Sequence, residues 1–154
     1  MSNAFEFRGG VLCGPSPYEY FIGDPRRGSS YGCMAPVIAG AMKSAAGNRF
    51  EVKELSGESL STLYSAYVEK GNPVLIWVTM GMVETFPGTA WYLPDGSLYY
   101  WPSCEHCMVL MGSEDDRYLL LDPETGGVVS YQKDLVEMRY DSLGKQAVVM
   151  NKIP

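Results

Sequence analysis

The chain has 154 residues, with 12 basic and 18 acidic side chains for a net charge of −6, and it is 46% hydrophobic and 19% charged. That length suits a single domain, spanning residues 1–154, with room for a proper core. The acidic balance and the lack of a basic run argue against a nucleic-acid surface, and no apolar run approaches the roughly 20 residues of a membrane helix.

Met1-Ser2-Asn3-Ala4 reads as an expression-vector remnant, so that the native protein begins upstream. The N-terminus lacks the apolar core of a signal peptide. An upstream leader would make the protein secreted or cell-surface; without one it is cytoplasmic. Residues 5–30 are rich in Gly, Pro, Tyr and Arg without a sustained period and read as a long loop, of the kind that is functional or packs onto something else. Within it, Phe21-Ile22-Gly23-Asp24-Pro25 has the form of a tight turn anchored by two apolar side chains.

Ser29-Ser30-Tyr31-Gly32 leads into a helix with Pro36 in its first turn. Val37, Ile38, Ala41, Met42 and Ala45 give it an apolar face, and Gly47-Asn48 closes it. Residues 50–55 form a short strand. Ser56 or Ser59 caps a second helix running to Gly71. The apolar, β-branched run 73–80 predicts a buried central strand. Strands at 91–93 and 97–101 flank the turn Pro94-Asp95-Gly96. Two strands follow, one opening near His106 and one ending at Asp122. A strand at 128–131, a short helix over 132–140 and a last strand at 146–150 complete the order. Segregated helices and an antiparallel sheet indicate an α+β fold.

His106 is the only histidine. It begins one strand of a hairpin that Asp122 ends, so pairing of the strands sets the imidazole beside a carboxylate. A histidine with an acidic orienter is the base half of a Cys-His-Asp or Ser-His-Asp site. Taken bare, a lone histidine on a strand is more often a core residue, and Asp-Pro a turn initiator. The cysteines are 13, 33, 104 and 107. Cys104 and Cys107 bracket His106 in a C-x-x-C, but no second half-site accompanies it, which favours free thiols over zinc; no metal or cofactor is expected. Cys33 stands at a helix start, where the macrodipole would lower its pKa, and on physical grounds it is the candidate nucleophile. Cys13-Gly14-Pro15 is the other cysteine to weigh.

The order of Phe21-Ile22-Gly23-Asp24-Pro25, Gly32 with Pro36-Val37-Ile38, Gly71-Asn72-Pro73-Val74-Leu75-Ile76, Trp91-Tyr92, Glu105-His106 with Val109-Leu110, and Leu121-Asp122-Pro123 with Thr125-Gly126 resembles the stand-alone peptidase-C-thirty-nine-like family over nearly the whole chain. These proteins are related to the papain-like domains that cleave bacteriocin leaders. The resemblance implies a papain-like cysteine peptidase fold and a peptide or protein substrate. It makes His106 the catalytic histidine and Asp122 its orienting partner. It also implies a departure: the family's nucleophile sits on a helix upstream of the Gly-Asp-Pro segment, where this chain has only about 20 residues and no helical pattern. In that register the N-terminal lobe is truncated, Cys33 falls on the following helix, and a non-catalytic peptide-binding module becomes the alternative to a peptidase. An apolar face left bare by the missing lobe would be covered by a homodimer or by residues 5–30 folded back as a lid. Tyr18, Tyr20, Tyr31, Trp77, Trp91, Tyr99, Tyr100 and Trp101 line a peptide groove or fill the core.

Overall fold

The computed structural model describes residues 4–28 and 30–153. Residues 1–3 of the Met1–Ala4 vector-remnant reading, Ser29 of the approach to the first helix and Pro154 lie outside them.

The segment read as a long loop is in part a hairpin. β1 (Glu6–Arg8) and β2 (Val11–Cys13) pair antiparallel, with Arg8 opposite Val11. The two residues between them are Gly9 and Gly10, both at positive φ, 57° and 85°. That is the backbone a two-residue hairpin turn demands, and glycine adopts it without the roughly 1–2 kcal/mol per residue that a Cβ costs there. Three-residue strands are too short to show alternation, so the pattern alone reads as loop.

This hairpin extends a second sheet. β5 (Pro87–Tyr92) and β6 (Leu98–Pro102) pair antiparallel, and β2 joins β5 in parallel through Cys13 and Tyr92, giving the order β1-β2-β5-β6. The sheet's inner face holds Trp91, fully buried, with Phe5, Tyr31, Tyr99 and Trp101 ringed about it at centroid distances of 5.0–6.3 Å. The Trp91 indole donates to the Pro15 carbonyl at 3.0 Å. Residues 5–15 thus cover Trp91, and most of the expected aromatic groove is core.

The main sheet has six antiparallel strands. β3 (Phe50–Glu54), β4 (Val74–Thr79), β7 (Glu105–Glu114), β8 (Arg117–Asp122), β9 (Gly127–Gln132) and β10 (Ala147–Lys152) run in the order β3-β10-β4-β7-β8-β9. One face carries Val74, Ile76, Val78, Met108, Leu110 and Leu120. Against it pack α2 (Leu60–Ala66), capped by Ser59, whose hydroxyl accepts from the Thr62 amide, and α3 (Lys133–Ser142). The opposite face carries Trp77 and Val148 under α1 (Ala35–Ala46), which lies over β3 and β10. The first amide of α1 is capped from a distance: Ala35 N donates to the buried Gln146 side chain at 2.9 Å. Farther across this face α1 gives no cover. Leu75, Cys107, Val109 and Leu121 border a cleft of about 420 Å³ there, with Asp122 at its rim.

Candidate functional site

Asp122 ends β8 because its carboxylate bonds its own chain. Oδ1 accepts the Glu124 amide at 2.9 Å and the backbone carbonyl accepts the Gly126 amide at 2.9 Å. An Asx turn of this kind halts the strand and fixes the carboxylate. The start of β7 is fixed by a clamp. Met80 N donates to Cys104 O at 2.8 Å, Ser103 N to Phe86 O at 2.9 Å, and the Thr85 hydroxyl to Ser103 O at 2.8 Å. Arg139 of α3 ties the same loop down through Met82 O.

One irregularity brings the two side chains together. β7 and β8 turn through Asp115 and Asp116 with Glu114 opposite Arg117, and that register holds to Gly112 and Leu119. Past Met111 it shifts, so that Leu110 faces Leu120 and Val109 faces Leu121. Had the first register continued, Asp122 would share a face with Cys107 and Val109. The extra residue at Met111 reverses the parity and puts Asp122 on the face of Met108 and His106.

His106 Nε2 stands 2.6 Å from Asp122 Oδ1, with the two side chains 11% and 6% exposed. Burial alone would raise the Asp122 pKa. The hydrogen bond from His106, the Glu124 amide, the His106 charge and the Thr125 amide outweigh it, and the net shift is downward. Asp122 is therefore an anion that can only accept, so the shared proton sits on Nε2. In the neutral imidazole this leaves the Nδ1 lone pair free to take a proton.

Cys33 is not brought to this pair. Strand alternation turns Glu105 and Cys107 to the face opposite His106, and Cys33 lies against those two. Its pKa is pushed up to about 11 by burial and then by Glu105, contrary to the lowering expected from a helix start. The reason is position: α1 begins at Ala35 behind an N-cap at Met34, and Cys33 is 6% exposed. Cys107 is raised further, by burial, Glu105 and Cys33. Cys104 is exposed and in a left-handed conformation, φ 62°, and Cys13 belongs to the second sheet. All four thiols are free. Among the described residues no group of three His, Cys, Asp or Glu side chains is placed to hold a metal. Glu105, read only as part of a motif, proves to be a half-buried carboxyl pushed up to about 7 by burial. The capping role of Gln146 has no local signal, because its partner is 111 residues away.

No family model matches the chain. It is 30% identical over 136 residues to the uncharacterised protein YvpB of Bacillus subtilis, a match covering 88% of this chain and 53% of that protein. The chain thus spans about half the length of the curated relative it matches. The crystal structure of a candidate C39-like peptidase from Bacillus anthracis superposes with a TM-score of 0.80 at 24% identity, over 95% of this chain and 72% of the other. The chain has the fold of a C39-like peptidase. In this α+β, papain-like fold the expected layout of helices on an antiparallel sheet stands, with β1, β2, β5 and β6 forming a separate small sheet beside it. No helix among the described residues is long and apolar enough to cross a membrane.

Proposed function

We propose that the chain is the histidine-bearing part of a papain-like cysteine peptidase. The observation that supports this reading is the 2.6 Å contact between His106 Nε2 and a carboxylate held ionised at Asp122. In the proposed reaction Nδ1 takes the proton of an attacking thiol, and the thiolate adds to a peptide carbonyl. The imidazolium then protonates the departing amine. Water, activated by the same nitrogen, releases the acyl group. Asp122 holds the ring in the productive tautomer and offsets its charge throughout. The thiol comes from an element other than α1.

Alkylation by iodoacetamide tests the assignment. This chain should show four slow thiols near pH 7 and no hydrolysis of fluorogenic peptides. A longer form carrying the thiol element should cleave them, and Asp122→Asn should slow that cleavage by roughly 10²–10⁴-fold. Fast alkylation of Cys33 alone, slowed by His106→Ala, would overturn the reading and make Cys33 the nucleophile. The second reading, a peptide-binding module of the same fold, is favoured by one fact: none of the four thiols hydrogen-bonds to His106. Peptide binding unaffected by His106→Ala, without cleavage by any longer form, would select it.

A further inference from the structure

The first residue of β7 has chemistry the dyad does not use. Glu105 turns away from His106 toward Gly32, Cys33, Tyr99 and Trp101. A Cβ placed on Gly32 would lie 3.6 Å from Glu105 Oε2 and 3.6 Å from the Trp101 ring. Gly32, at φ 126°, therefore keeps one flank of the carboxylate clear. The titratable groups that face it are Cys33 ahead of α1, Cys107 on β7 and Tyr99 on β6. All three are neutral at pH 8, since burial raises each pKa. The Glu105 carboxyl makes no hydrogen bond or ion pair among the described residues, and burial is the sole cause acting on it. A half-buried carboxylate without a partner is costly, and a bound cation reaching it from solvent relieves that cost. The flanking walls are aromatic: Trp101 beside Gly32, then Tyr99, with Tyr18 set edge-on to Tyr99 at 6.5 Å and 45% exposed, reaching to solvent. Aromatic faces attract ammonium and guanidinium groups.

We propose that Glu105, Tyr99 and Trp101 form a recognition site for the cationic side chain, lysine or arginine, of a bound peptide. That the peptide is also the substrate of the His106 site rests on the peptidase reading; the cation site itself does not.

The test titrates the chain with N-acetyl-arginine amide, N-acetyl-lysine amide and the neutral isostere N-acetyl-citrulline amide at pH 8. Tryptophan fluorescence and side-chain NMR shifts of Tyr99 and Trp101 report binding. One or both cationic probes should bind about tenfold more tightly than citrulline, and the better of them names the residue. That advantage should shrink below pH 6 as Glu105 takes up a proton. Glu105→Gln should erase it, while His106→Ala should leave it intact, so that loss of the peptidase reading and loss of this one are told apart. Equal binding of all three probes to the unaltered chain would overturn the proposal, and this comparison needs no variant to fold. A cation preference that survives in Glu105→Gln would overturn it equally.

Discussion

Asp122 and Glu105, on the two faces of one sheet, respond to pH in opposite senses. Asp122 has its pKa lowered from 3.8 in the folded chain. Its contribution to stability is complete above that value and is lost as pH falls through the lower, folded value. Glu105 is raised from 4.5 to about 7. The folded chain then holds the proton more tightly than the unfolded one, so stability falls as pH rises from 4.5 toward 7. Denaturant unfolding across pH 2 to 8 separates them. Asp122→Asn should flatten the acid limb below about pH 4 and leave the neutral limb unchanged. Glu105→Gln should flatten the limb between 4.5 and 7 and raise stability at pH 8. A neutral limb that stays sloped in Glu105→Gln would show that the slope has another source.

At the scale of elements, the device with the widest reach is the cap on α1. Gln146, 4% exposed, accepts from Ala35 N and donates to Leu143 O and the Met34 sulfur. Gln146→Leu keeps most of the volume but leaves a buried helix N–H and a carbonyl without partners. The expected loss is about 2 kcal/mol by denaturant melting; a loss below about 0.5 kcal/mol would mean that water replaces the cap. Elements and site were legible in the chain to different depths. Strands at 74–79, 105–114 and 117–122, and the adjacency of His106 and Asp122, follow from apolar runs around a polar turn. The shared face does not follow, because it depends on one extra residue at Met111 in a run, Met108 to Gly112, that nothing local punctuates. The small sheet was half legible. Its Pro94-Asp95-Gly96 turn is a strong signal, whereas the Gly9-Gly10 turn joins strands too short to alternate. The seating of Cys33 was hidden because it is set by Glu105 and Cys107, more than 70 residues along the chain.

Over the whole molecule, the two faces of the main sheet are unequally covered. α2 and α3 bury one side, while on the other Leu121 is 37% exposed, Met111 44% and Val128 57%. Residues 5–15 fold back as a lid should, but over Trp91 rather than over this ground. The chain alone should therefore associate through the bare face. Sedimentation is expected to show species heavier than 17.0 kDa as concentration rises, and Leu121→Glu should return them to monomer. A monomer at all micromolar concentrations would show that the cleft is tolerated uncovered. The placement of β10 between β3 and β4 bears on how the protein is made. The ribosome delivers β3 and β4 first, and they have no partner in each other; β3 stays unpaired, and β4, paired with β7 on one side, keeps its other edge open until residues 147–152 arrive. Until that stretch clears the exit tunnel, two strands with open edges, one of them the apolar run from Val74 to Thr79, are exposed to other nascent chains. A pause in translation near codon 140 would lengthen that exposure, and holdase chaperones should engage this protein most strongly there.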